Sequence, residues 1–174
     1  MLEEMKAAAT DIDSGQESSA SSTQPSRPAS FIELRTTLPN HVDIISPFVD
    51  QMTRFISRFR VADETGFEIE LALREALANA ILHGNQENPR KRVHVKCRCA
   101  TNGVVSMTIE DEGTGFEYDA VPDPTSPDNQ LRTRGRGIYL MRTLMDEVHF
   151  DQGGSVVHMR KRANTGSDTT RKPQ

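Results

Sequence analysis

Glu75, Asn79 and His83 stand four residues apart in the stretch 70–88, ELALREALANAILHGNQEN. On a helix that spacing stacks them along one edge, beside an apolar stripe formed by Ile69, Ala72, Leu73, Ala76, Leu77, Ala80 and Ile81. A carboxylate and a carboxamide one turn apart, against a wall of core, could share one ligand or one hard cation. Glu and Asn on a helix edge are ordinarily solvated surface. Asn79, however, is a mediocre helix former in a run of Ala, Leu and Glu, and a local rule broken without local gain is expected at functional or strained sites.

Two glycine pairs extend the pattern: Asp111-x-Gly113-x-Gly115 after an apolar alternation, and Gly135-Arg136-Gly137 before a helical period. Neither is a standard phosphate loop, because there is no G-x-x-x-x-G-K-S/T and no G-x-G-x-x-G. Alone, each pair is a turn or hinge signal. Their order around the 70–88 helix suggests three separated parts of one nucleotide site. Asp111 could accept a hydrogen bond from an exocyclic amine such as that of adenine. Gly113 and Gly115 would let the backbone pass close to a flat base. Gly135 and Gly137 would present N–H groups at a helix start, where the helix dipole favours phosphate. Asn79 could give its side-chain oxygen to Mg²⁺.

The elements that must position these residues can be read in outline. Residues 31–38 alternate as a strand, with Ile32 and Leu34 on one face. Residues 41–61 carry a helical period with a kink or restart at Ser46-Pro47. Thr65 and Glu68 form a capping-box pattern that would start the central helix just before Ile69, and Gly84 would end it. Residues 92–100 and 104–110 make a hairpin around Thr101-Asn102-Gly103. Residues 117–134, with no period, are read as a lid or binding loop. A helix over 138–145 and strands over 148–150 and 156–159, turned by Gln152-Gly153-Gly154, complete the order. Antiparallel pairs that do not alternate strictly with helices predict an α+β two-layer sandwich, three main helices on one face of a mixed, mostly antiparallel sheet.

Composition bounds the rest. The chain has 174 residues, 35% of them hydrophobic, and the apolar deficit lies at its ends. Residues 1–30 and 163–174 read as disordered tails, leaving 31–162 as one domain. A net charge of −4 gives no reason to expect direct nucleic-acid binding, and the basic runs at 90–98 and 132–136 read as solvated faces. No apolar run suits a membrane span or a signal core, which leads to the expectation of a cytoplasmic protein. Cys97 and Cys99, one residue apart, fit core packing on a strand alongside Val93 and Val95 better than a metal site or a disulfide.

Taken together, Glu75-x-x-x-Asn79 with His83-Gly84, Asp111-x-Gly113-x-Gly115 and Gly135-x-Gly137-Ile138 resemble the three ATP-binding boxes of the GHKL superfamily. Within it, the ELALREALANAILHGN and GRGIYLMRTLMDEV segments resemble the bacterial anti-sigma-factor serine kinases. The resemblance covers residues 31–162. It implies a Bergerat-type ATP site with Mg²⁺ held through Asn79 and adenine on Asp111. It also implies Glu75 as general base on a serine of a STAS-fold anti-anti-sigma protein, sequestration of a sigma factor, and a homodimer as one assembly. Arg136, where many relatives are apolar, could reach a phosphate or face solvent. The alternative function is an ATP-gated regulatory module that binds a partner without phosphoryl transfer.

Overall fold

Strict alternation of apolar residues turns one face of a five-stranded sheet into a floor for the helices. The computed structural model describes residues 30–59, 61, 63–115 and 136–162. Its strands are β1 (Phe31–Pro39), β2 (Arg92–Ala100), β3 (Val104–Asp111), β4 (Glu147–Asp151) and β5 (Val156–Arg162), in the order β1-β2-β3-β5-β4. The pairing register lines up core-facing rows across the sheet. One row runs Leu34, Cys97, Met107, Met159, Val148, and the next runs Thr36, Val95, Ile109, Val157, Phe150. A third row joins Leu38, Val93 and Asp111. The alternation that buries Val105, Met107 and Ile109 therefore delivers a carboxylate to the core side of the sheet.

All four pairings are antiparallel, so the parallel component of the expected mixed sheet is missing among the described residues. β4 runs in the same direction as β3, but β5 turns back and inserts between them. The crossover from β3 to β4 is parallel in sense without making a parallel ladder.

The helices are α1 (Ile45–Ser57), α2 (Asp63–Ala78) and α3 (Arg136–Leu144). α1 buries Phe48, Val49, Met52 and Ile56. α2 and the turn after it bury Ile69, Ala72, Leu73, Ala76, Leu77, Ala80 and Ile81, the stripe legible in the sequence. The restart expected near Pro47 is present as a short 3-10 turn, Val42–Ile44, followed by α1. Pro47 lies in the first helical turn, where its missing N–H costs nothing.

The central helix departs from expectation at both ends. It begins at Asp63, and Thr65 lies inside it, 3% exposed, so Thr65 is no cap. The Thr-x-x-Glu pattern is met here for another reason, since the Glu68 carboxylate takes a salt bridge from Lys161 Nζ at 2.8 Å, and the same ammonium donates to Leu144 O. At the other end α2 does not stop at a simple cap. Residues Asn79–Gly84 form a π turn, closed by Asn85 N donating to Ala80 O at 2.8 Å and Glu87 N to Ile81 O at 2.8 Å. Single π turns inside helices concentrate at functional sites.

Leu77 is fully buried between the sheet and the neighbouring helices. Leu77→Ala is expected to cost about 2–5 kcal/mol of unfolding free energy through lost burial and the cavity left behind. Urea denaturation with an unchanged slope would register this as a shift in midpoint. A loss below about 1 kcal/mol would show that the layer collapses around the gap.

Candidate functional site

The edge of α2 and the π turn that continues it hold Glu75 and Asn79 half-buried, one turn apart, with the first turn of α3 set against them. Gly137 makes that approach feasible. A Cβ at position 137 would lie 2.5 Å from Glu75 Oε2 and 3.6 Å from either amide atom of Asn79. The first N–H groups of α3, which have no intrahelical acceptor, therefore start beside a carboxylate and a carboxamide. Among the described residues, Asn79 Nδ2 is a buried side-chain atom without a hydrogen-bond partner, and no hydrogen bond or ion pair reaches the Glu75 carboxylate. Both are groups whose chemistry is left for something else to use.

The other end of the site is built at the end of β3. Asp111 N donates to Ser155 O at 2.9 Å, fixing the backbone, while the side chain rests on Gly84 at the close of the π turn. A Cβ on Gly84 would fall 2.3 Å from the Asp111 carboxyl carbon. One on Gly113 would fall 2.1 Å from Gly84 O, and Gly113 N donates to Asp111 Oδ1 at 2.8 Å. Gly115, at φ +76°, touches the turn after β4, where its Cβ would lie 2.0 Å from Gly153 O. Burial pushes the Asp111 carboxyl above its ordinary range, and the Gly113 N–H and Lys91 pull it part of the way back.

Between the two ends lies a narrow recess with a cavity volume of about 10 Å³, room for roughly one water molecule. Ala76, Ile109, Met141 and Phe150 are among its apolar lining residues, and Asn79, Asp111 and Ser155 are its polar points. A buried carboxylate and an unpaired carboxamide on one recess complement an amine donor at one end and an anion at the other.

The structure thus brings together Glu75, Asn79, Asp111, Gly113 and Gly137, with Gly115 at the rim. Arg136 is the exposed first residue of α3. Gly135, most of the two tails and the expected lid at 117–134 lie outside the described residues. His83 is exposed at the helix end. Cys97 and Cys99 are free and buried among core residues, and the neighbouring Cys99 together with burial pushes the Cys97 thiol up. Sequence reasoning missed Ser155 and Asn85. Ser155 follows a Gly-Gly turn and reads as part of it. Asn85 follows a helix-ending glycine and reads as a cap residue.

A family model described as a histidine kinase-like ATPase domain matches residues 38–161. An anti-sigma F factor from Bacillus cytotoxicus is 33% identical over 114 residues, covering 62% of this chain and 76% of the relative. A serine-protein kinase RsbW from Staphylococcus epidermidis is 28% identical over 138 residues, covering 75% of this chain and 86% of the relative. Among solved structures, the RsbU and RsbW domains of a Mycobacterium tuberculosis protein superpose with a TM-score of 0.52 at 15% identity, over 75% of this chain and 32% of that one. That last likeness is one of fold.

Asp111→Asn separates the cost of the buried carboxylate from its use. A carboxyl whose folded pKa is raised binds more protons folded than unfolded. Wild-type stability therefore falls as pH rises from the ordinary Asp value of 3.8 through the raised one, and the penalty is complete above it. At pH 7 the nucleotide-free Asn variant is expected to melt at or above wild type, with the gap closing as pH falls through that window. The upward shift given by Mg-ADP should shrink, since losing a hydrogen bond to a charged group corresponds to binding about 10- to 100-fold weaker. Equal ADP shifts in the two proteins would remove Asp111 from the site.

Proposed function

The chain belongs to the histidine kinase-like ATPase domain family, the GHKL group, and from that premise we propose that it is an ATP-dependent protein serine kinase acting as an anti-sigma regulator. It would phosphorylate a STAS-fold anti-anti-sigma protein and sequester a sigma factor. The names of its relatives, anti-sigma F factor and serine-protein kinase RsbW, support both halves of this reading. The observation that carries the kinase half is the contact of Gly137 with Glu75 and Asn79, a carboxylate left without a partner at a helix N-terminus.

The residues present fit a magnesium nucleotide. Asp111 would accept the adenine amine, and Asn79 would turn its carboxamide oxygen to Mg²⁺. The N–H groups at Gly135, Arg136 and Gly137 would receive phosphate oxygens where the α3 dipole favours negative charge. ATP would supply the phosphoryl group. Glu75 would take the proton of the incoming seryl hydroxyl, so that positioning and electrostatics provide most of the catalysis. No helix among the described residues is long and apolar enough to cross a membrane. The proposed partners are soluble proteins of the cytoplasm, and a homodimer is the assembly that the family resemblance suggests.

Glu75→Gln tests the assignment because it keeps size and hydrogen bonding while removing the base. Transfer of labelled phosphate to a cognate STAS protein is expected to fall about 10²- to 10⁴-fold, with the Mg-ADP melting shift preserved. Gly137→Ala should fold, because its Cβ meets only the far end of the flexible Glu75 side chain, yet it should lose transfer by turning that carboxylate away. Undiminished transfer by Glu75→Gln would sink the catalytic role. Nucleotide-dependent partner capture without any phosphoprotein would point to a binding module instead.

A further inference from the structure

The ladder between β2 and β3 stops one pair early, and a side chain occupies the vacated rung. The last register pair is Val93 with Asp111, which leaves Arg92 and Glu112 to face each other next. Their backbones do not bond directly. Asn85 Nδ2 donates to Arg92 O at 2.8 Å, and Asn85 Oδ1 accepts from Glu112 N at 2.9 Å. Arg92 N donates instead to Glu112 Oε2 at 3.0 Å, which closes the ring. The carboxamide of Asn85 thus stands where a peptide group would continue the sheet, 1% exposed.

Its remaining bonds tie that rung to the helix and to the edge of the sheet. Asn85 N closes the π turn on Ala80 O, and its second amide hydrogen goes to Asn40 Oδ1 at 3.2 Å. Asn40, 3% exposed at the end of β1, passes its own amide to Asn88 O. A buried carboxamide with both donors and its acceptor engaged has little freedom to move. It adjoins Gly84, on which the Asp111 carboxyl rests, and it bonds the residue after Asp111.

We propose that Asn85 is a positioning residue for base recognition: its carboxamide replaces the missing Arg92–Glu112 backbone pair and so sets Asp111 and Gly113 against Gly84. The inference rests on the nucleotide reading of the site and adds the device by which the base-reading carboxylate is aimed. A direct backbone pair would carry Glu112 toward β2. The inserted amide holds it toward the helix end, beside the Gly84 on which the Asp111 carboxyl rests.

Asp111 reads an amine, so aim shows as discrimination between ADP and GDP, whose guanine presents a carbonyl at the corresponding position. Calorimetric titration of both Mg-nucleotides at low temperature, on protein shown to be folded by circular dichroism, gives the ratio of affinities. Asn85→Ala is expected to weaken ADP about tenfold or more and leave GDP nearly unchanged, since small misplacements of a recognition group cost one to two orders of magnitude. A residue that merely stabilises the fold would lower the melting point without moving the ratio. Should Asn85→Ala not fold, Asn40→Ala serves, because it frees one amide hydrogen of the rung and should lower the ratio about threefold. An ADP-to-GDP ratio equal to wild type in the folded variant overturns the proposal. Wild type that binds neither nucleotide overturns the reading beneath it, a result distinct from the first.

Discussion

The site depends on a carboxylate delivered to the wrong side of a sheet. Period-two alternation along β3 buries Val105, Met107 and Ile109 and then, without changing register, Asp111. A buried carboxylate is costly unless its oxygens are met by donors. Here one oxygen has the Gly113 N–H, and the backbone before it is pinned to Ser155. Everything near Asp111 is then shaped by lack of room. Gly84 beneath and Gly113 beside it are positions where any Cβ would fall inside neighbouring atoms. A side chain that cannot relax is ready to receive a donor from outside.

The same crowding gives the π turn a purpose. With a regular α-helical turn, Gly84 would follow Ala80 at the usual rise and rotation. The wider turn from Asn79 to Gly84 inserts extra backbone, and Asn85 N reaches back five residues to close it. That shift brings a glycine under Asp111 and turns Asn85 into the end of the sheet. Asn79, the first residue of the wider turn, is also the residue that breaks helix propensity most visibly. Its cost and its position have one origin.

What was legible in the sequence follows from how local each feature is. The buried stripe of the central helix, the hairpin at Asn102-Gly103 and the inward placement of Cys97 and Cys99 are set by repeats within a few residues, and all are found as read. The capping box at Thr65 failed because four residues matching a cap also match a helix interior, and a distant ion pair with Lys161 had taken Glu68. Asp111 was singled out by the Asp-x-Gly-x-Gly pattern after a strand and Asn79 by its poor helix propensity, and both line the recess. Asn85 was not, because its meaning lies in Asn40, 45 residues away, and Glu112, 27 away. Gly137 was read as an anion-binding glycine from its place before an apolar period. Its steric reason, the Glu75 carboxylate in the space its Cβ would take, needed the packing of α3 on α2.

The two ends of the recess are held by different forces, and this sets how the site responds to a ligand. The Asp111 end is tied by a buried ring of hydrogen bonds that runs from β1 through the π turn to β2 and the loop after β3. Among described residues, the Glu75 and Asn79 end has proximity to Gly137 but no hydrogen bond from either side chain to α3, and Asn79 Nδ2 is unsatisfied. A ligand at the Asn79 end therefore meets an unsatisfied amide, whereas the Asp111 end is already tied. An anion at the first turn of α3 would meet the helix's leading N–H groups and the spare Asn79 amide together. Binding energy gained there would go into order, while the Asp111 end is a surface already in place.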